Sequence, residues 1–343
     1  MRKVTSQDVA DRAGVSRAAV SMVLNGRGSG NIAAEKQELI RAAARELGYV
    51  PNAAAVNLRV QRTRTIGLVT DTIATTAFGG AVVAGAMERA GQQGYLTMVV
   101  DTEDDPEAEA RGFEVLQHRQ VDGLVFAAQS LREHPIGHLA GTTPAVLANC
   151  TDPTGTHSAW FPDEVAGGRL ATRVLLQHGH RDIACLTGAA ESMATGLRAR
   201  GFTLELAEAG LAGERTHPCG WEISDGHRVA SALLAGPGRP TAVVCANDRV
   251  AIGVVLAATG LGLRVPADLS VVGYDDDENV APAMVPALTT VGLPHREMGE
   301  LAMGSLLATL AGESRPPVQT AITGPLVERA SVAPPPATVR PGR

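Results

Sequence analysis

Asp71, Asn149, Asp163, Arg198, Trp221, Asn247 and Asp275 stand where apolar runs give out or in the polar segments beyond them, and Phe78 follows Asp71 closely. Carboxylates and amides exchange hydrogen bonds with hydroxyls, and a guanidinium presents a planar fork of donors. An aromatic face covers the apolar side of a sugar ring. As a set, these residues describe a pocket for a sugar or polyol. Signatures of covalent or metal chemistry are missing: the sequence holds no G-x-S-x-G, no HExxH and no P-loop. Asp275-Asp276-Asp277-Glu278 could suggest calcium, but the run lacks the glycine of an EF-hand loop and reads as a solvated loop. No metal and no cofactor are expected.

Such a pocket needs strands to hold it. Apolar runs at 66–69, 96–100, 123–126, 145–147, 183–186, 242–245 and 269–272 alternate with helical stretches, among them 167–176. Repeated strand–helix units imply parallel sheets covered on both faces, whose ligands bind beyond the carboxyl ends of the strands. The 343 residues, 45% of them apolar, suit two or three domains, and about 270 residues of this pattern suit two lobes with a cleft between them. Cys150, Cys185, Cys219 and Cys245 are widely spaced, which predicts reduced thiols rather than a zinc site. No apolar segment follows the N-terminus and no run is long enough to span a membrane, so no leader and no membrane partner are expected.

The first fifty residues have a different pattern. Thr5 and Asp8 have capping-box spacing, so a helix should begin near Ser6, with Val9, Ala10 and Ala13 on its inner face. Gly14 suits a tight turn, and Ser16 can cap a second helix whose Val20, Val23 and Leu24 form a buried stripe. Two short helices joined in this way make a helix-turn-helix, whose second helix enters the DNA major groove. A third helix, about 34–47, should turn Leu39, Ile40, Ala43 and Leu47 inward. Charge partitions with the pattern: residues 1–64 hold 11 Lys and Arg against 5 Asp and Glu, and the remainder 19 against 31. A basic head on an acidic body suits a head that meets phosphates.

Val4-Thr5, Asp8-Val9-Ala10, Ala13-Gly14-Val15-Ser16, Val20-Ser21, Val23-Leu24-Asn25 and Leu47-Gly48-Tyr49-Val50-Pro51-Asn52 resemble the signature of the LacI/GalR family of bacterial repressors. The likeness continues at the family's spacing to about Ser331, and it implies that His178-Gly179-His180, which could offer two metal ligands, is a helix-to-strand turn. It implies an all-α helix-turn-helix head at 1–50 and a hinge helix or linker at 51–64, followed by an α/β core of periplasmic-binding-protein-like type I fold, with two lobes and parallel sheets. The N-terminal lobe would be 65–163 plus about 292–321, the C-terminal lobe 164–291 plus about 322–333, and 334–343 a disordered tail. Carried over by position, Thr5, Ser16, Arg17, Ala18, Ser21, Met22, Asn25, Lys36, Tyr49, Asn52, Ala55 and Leu58 would contact DNA, with Leu58 as a minor-groove wedge. Phe78, Asn149, Asp163, Arg198, Trp221, Asn247 and Asp275 match effector positions, and Asp71 joins them from its strand end. Met22 stands where the family usually has Arg, Ala19 where it has Thr, and Ala33 and Lys36 where helix three usually has Ser and Thr. The operator's sequence therefore does not follow from relatives.

The resemblance implies a cytoplasmic homodimer, a repressor of pseudo-palindromic double-stranded operator DNA controlled by a small molecule. The alternative is a sugar-binding α/β enzyme or sensor without operator control.

Overall fold

The computed structural model describes residues 4–26, 28–49, 62–72, 79–211 and 215–336. The chain divides into two compact units, Met1–Thr63 and Arg64–Arg343. In the first, α1 (Ser6–Ala13), α2 (Arg17–Leu24) and α3 (Ala34–Glu46) pack around Val9, Ala10, Val20, Val23, Ile40, Ala43 and Ala44. The capping box forms as its spacing predicts: the Thr5 hydroxyl accepts from the Asp8 amide, and the Asp8 carboxylate accepts from the Thr5 amide at 2.8 Å. Gly14 ends α1 at φ 64°, and Ser16 caps α2 through the Ala19 amide at 3.2 Å. Leu39 departs from expectation. It is 52% exposed, because the inner stripe of α3 runs through Ile40, Ala43 and Ala44, and the neighbouring position lies about 100° round the helix. The expected hinge from Pro51, with Asn52, Ala55 and Leu58, lies outside the described residues, as do Phe78 and the tail from 337.

The second unit carries two six-stranded sheets. The chain runs β1 (Thr65–Thr70), α4 (Gly80–Gln92), β2 (Leu96–Asp101), α5 (Pro106–His118), β3 (Gly123–Ala127), α6 (Gly137–Ala140), β4 (Ala145–Ala148) and β5 (Ser158–Pro162). It continues through α7 (Glu164–Gln177), β6 (Ile183–Thr187), α8 (Met193–Glu208), β7 (Thr216–Pro218), α9 (Ile223–Ala235), β8 (Ala242–Cys245), α10 (Asp248–Gly260) and β9 (Ser270–Asp275). Last come β10 (Thr289–Gly292), α11 (His295–Leu310), β11 (Gln319–Ile322) and β12 (Leu326–Val327). One sheet is ordered β11-β5-β4-β3-β1-β2 with all pairs parallel. The other is ordered β12-β10-β9-β8-β6-β7, with only β12 antiparallel. Alternation along the strands fills a core on each face: Val125 and Ala127 point to one side of β3, Leu124 and Phe126 to the other. Val243 and Cys245 against Ala242 and Val244 do the same on β8.

The strands missing from the sequence reading are short or polar: β5, β7, β10, β11 and β12. Register locates the crossings between sheets. Gly292 pairs with Asp275 in the second sheet and Ile322 with Pro162 in the first. The expected limits of 292 and 321 therefore each fall inside a strand. Helix α7 begins at Glu164, three residues before the expected 167, because Asp163 caps it through the Ala166 amide at 2.9 Å.

Three helix pairs cross at reciprocal glycines. A Cβ at Gly168 of α7 would lie 2.2 Å from the Arg198 carbonyl of α8, and one at Gly201 would lie 2.2 Å from the Val165 carbonyl. Gly226 and Gly253 join α9 to α10 in the same way, and Gly85 and Gly299 join α4 to α11. Backbone meets backbone at each crossing, which fixes where the helix N-termini stand above the strand ends. Among the described residues, no helix is long and apolar enough to cross a membrane.

Candidate functional site

In the head, capping leaves one face of α2 to solvent. Arg17 and Ala18 are exposed in its first turn, Met22 is exposed one turn on, and Ser21 is half-buried between them. The cations fall into two classes. Arg12 pairs with Glu46 at 2.8 Å, and Arg41 and Arg45 both pair with Glu38. Arg17 and Lys36 are exposed, and no carboxylate among the described residues pairs with either. These two can therefore meet phosphate or base without first breaking an ion pair. Asn25 ends α2, its amide donating to the Ser21 carbonyl at 2.7 Å. Tyr49 is half-buried against the head core, and its backbone amide donates to the Ala44 carbonyl.

In the second unit, a cavity of 470 Å³ opens between the strand ends of the two sheets. Asn149, Arg198, Trp221, Asn247 and Asp275 line it, so the structure gathers five of the sequence-derived candidates. Arg198, in this lining, has three of its five N–H donors engaged. Its Nε and Nη2 donate to Glu164 Oε2 and Oε1 at 2.7 and 2.9 Å, and its Nη1 donates to the Ala246 carbonyl at 2.6 Å. Asp275 Oδ1 lies 3.7 Å from Nη1. The guanidinium carbon lies 3.7 Å from the Tyr274 ring centre and 5.8 Å from that of Trp221. The Tyr274 hydroxyl donates to Glu164 Oε2 at 2.8 Å. A Cβ at Gly167 would overlap that hydroxyl, so only glycine admits the contact.

The electrostatics follow from burial. Burial opposes charge on Arg198, but the Glu164 carboxylate beside it holds the guanidinium above its usual range. Burial pushes the Asp275 carboxyl well above the usual carboxylate range, against the pull of Arg198. His295, at the start of α11 and in the same lining, is pushed down to about 4 by burial, with Arg198 adding to the effect. Asp248 is pushed up to about 6 by burial and accepts from the Thr290 hydroxyl at 2.6 Å and from the Asp277 amide.

Asn149 holds φ 57° and donates to the carbonyls of Ala128 and Gln129, so its amide fixes the edge of the cleft. Asn247 caps α10 through the Val250 amide and donates to the Trp221 backbone carbonyl at 3.1 Å, tying the loop that carries the indole to the start of α10.

Two expectations change. Asp71 does not line the cavity: its carboxylate accepts from the amides of Thr72 and Gln129 and pairs with Arg132 at 3.4 Å. Asp163 is spent on its cap, and the next residue, Glu164, faces the cleft instead. Phe78 lies outside the described residues.

The run 275–278 is not simply a solvated loop. Asp275 lines the cleft, Asp276 pairs with Arg329 at 2.7 Å, and Asp277 accepts from the Asn279 amide. His178 and His180 point to separate partners, the Val174 carbonyl and the Thr241–Ser270 pair, as a turn would have them. The four cysteines are free.

Sequence reasoning missed Glu164, His295, Gln129, and the Glu222–Arg249 pair at the exposed rim. Only Glu164 left a signal, as a second acid beside a capping Asp. The others are set by how the two sheets face each other.

Comparison with known proteins completes the description. Residues 5–52 match the description "Bacterial regulatory proteins, lacI family", and residues 172–332 match "Periplasmic binding protein-like domain". The chain is 34% identical over 334 residues to the HTH-type transcriptional repressor PurR of Erwinia tasmaniensis, covering 96% of this chain and 97% of that one. It is 33% identical to the ribose operon repressor of Escherichia coli K12, covering 95% and 99%. Among solved structures, the lac repressor dimer bound to operator and the anti-inducer ONPF superposes with a TM-score of 0.82 at 30% identity, covering 97% and 100%. The transcriptional regulator CelR–cellobiose complex superposes at 0.68 with 28% identity, covering 96% and 100%.

Proposed function

From the premise that this chain belongs to the LacI family of bacterial regulatory proteins, a family of transcriptional repressors rather than enzymes, we propose a homodimeric repressor whose affinity for a pseudo-palindromic operator is set by a small polyol or sugar in the cleft. The observation that carries the DNA half is the exposed face of α2, where Arg17, Ala18 and Met22 meet solvent and Arg17 has no acidic partner among the described residues. A helix presented in this way fits the major groove, and a two-fold dimer reads two-fold DNA. Met22 cannot make the bidentate guanine contact of an arginine, so the half-site should differ from that of relatives carrying Arg there.

The effector half rests on the cleft. Its lining mixes acceptors, an aromatic face and a buried guanidinium drawn from both sheets. A ligand touching both sides favours one lobe arrangement over another, and only such differential contact can shift the hinge equilibrium. The coupling is reciprocal and worth about 1–3 kcal/mol.

The test is selection of sites from a random duplex library with the full-length protein, followed by challenge of the selected complex with neutral sugars and nucleobases. A symmetric site released or tightened by one of the sugars is the expected result, and a response to a nucleobase alone counts against a polyol effector. Selection of no symmetric site would refute the operator reading. A symmetric site indifferent to every polyol would refute the effector reading.

A further inference from the structure

We propose that the cleft selects uncharged polyhydroxyl ligands and rejects their phosphorylated or carboxylated counterparts, with Glu164 setting that selectivity by pre-empting the Arg198 guanidinium. This rests on reading the cleft as the effector site.

A buried arginine in a ligand cavity ordinarily predicts an anion, because the guanidinium fork matches a carboxylate or phosphate. Here the bidentate edge of the guanidinium, Nε and Nη2, and one hydrogen of Nη1 are already taken from within the protein. Glu164 takes both Nε and Nη2, and the Ala246 carbonyl takes Nη1. The pair is buried, with side-chain exposures of 13% for Arg198 and 2% for Glu164. The Tyr274 hydroxyl donates to Glu164 as well, fixing the carboxylate in its bidentate pose.

The other cation of the lining, Arg249, is paired with Glu222 at the exposed rim. Of the remaining titratable side chains described in the lining, Asp275 and Asp277 are acids, and His295 is held neutral by burial and by Arg198. An incoming anion would therefore meet no unmatched cation among the described residues and at least one buried carboxyl. A hydroxyl can accept from the remaining Arg198 hydrogens and donate to Asp275 without disturbing either pair. Glu164 does not need to touch the ligand; it acts through Arg198 as a positioning residue.

Inorganic phosphate is the probe, titrated calorimetrically into the full-length wild type, Glu164→Gln, Glu164→Asp and the double variant Glu164→Gln/Arg198→Met. Glu164→Gln keeps the shape but frees the charge of Arg198. It should bind phosphate about tenfold or more tighter than wild type, and the double variant should lose that gain, which separates the cleft from the basic head. Glu164→Asp keeps the charge and should stay like wild type.

In parallel, D-ribose and D-glucose are compared with their phosphate esters on wild type, which does not depend on any variant folding. Arg198-dependent phosphate binding by wild type, a phosphate ester bound as tightly as its parent sugar, or a folded Glu164→Gln with no gain would each overturn the proposal. Loss of the effector reading would appear differently: no polyol would alter operator binding, while the phosphate titration would still report the charge balance of the cleft.

Discussion

On the proposed function, Arg198 serves binding and stability together. As a free fork, its loss would affect only the ligand. Paired bidentately with a buried Glu164, its loss strands a carboxylate away from water. Breaking a buried pair from one side costs about 3–5 kcal/mol. Arg198→Ala should therefore lower the urea midpoint of the full-length protein, read by tryptophan fluorescence, as well as weaken ligand binding. An unchanged midpoint would mean that the pair contributes little. His295 supplies a pH dependence. Its folded value of about 4 lies below that of the unfolded imidazole at 6.5. The unfolded chain takes up the extra proton within that window, so stability is full above it and falls as pH drops from about 6.5 to 4. The loss reaches roughly 3 kcal/mol at the acid end. Comparing wild type with His295→Gln at several pH values isolates this contribution: the gap between them should shrink or reverse toward acid. A constant gap would contradict it.

At the scale of elements, the reciprocal glycines govern how closely paired helices approach. Gly168 and Gly196 form a matched contrast on α7 and α8. A Cβ at Gly168 would sit 2.2 Å from the Arg198 carbonyl, whereas a Cβ at Gly196 meets nothing within 4 Å. Gly168→Ala should push the helices apart at a cost of about 1–3 kcal/mol and move Arg198 with them, weakening ligand binding too. Gly196→Ala relieves only the conformational freedom of the unfolded chain and should stabilise by up to about 1 kcal/mol. Thermal denaturation of both variants decides it; equal effects would show that the crossing tolerates a methyl group. The same geometry at Gly226–Gly253 and Gly85–Gly299 makes close crossing a recurring device of this fold rather than a local accident.

For the whole molecule, the two units carry opposite charge, and this should appear in how the protein meets DNA. The basic residues up to 64 outnumber the acidic ones 11 to 5, and among the described residues Arg17 and Lys36 form no ion pair. With about six phosphate contacts per complex, operator affinity should fall about a thousandfold or more between 50 and 200 mM salt. Ligand affinity, measured on the same protein without DNA, should barely move, because the Arg198–Glu164 pair is shielded from ions by burial. Fluorescence anisotropy with labelled operator and calorimetry with ligand give the two slopes. A salt-independent operator affinity would mean that phosphates contribute little to binding.

The sequence by itself determined what depends on neighbours along the chain. The Thr5–Asp8 box, the Gly14 turn and the Ser16 cap are local hydrogen-bonding and φ requirements, legible from residue type and spacing. The long apolar strands were legible because a strand buried on both faces must be apolar throughout. So was the clustering of Asn149, Trp221, Asn247 and Asp275, since strand carboxyl ends of a parallel sheet open on one side; Arg198, on a helix, entered the set only through the family resemblance. Tertiary structure decided the rest. The edge strands β7, β11 and β12 owe their form to a partner strand rather than to their own residues. Asp163 faces away and Glu164 inward because the cap fixes the helix start to one residue, and successive helical side chains diverge by about 100°. Whether Arg198 greets the ligand as a free cation or a neutralised one depended on a carboxylate 34 residues earlier in the chain, brought to 2.7 Å by two helices crossing at glycine. Pairing of distant charges is a property of packing, and spacing along the sequence carries no record of it.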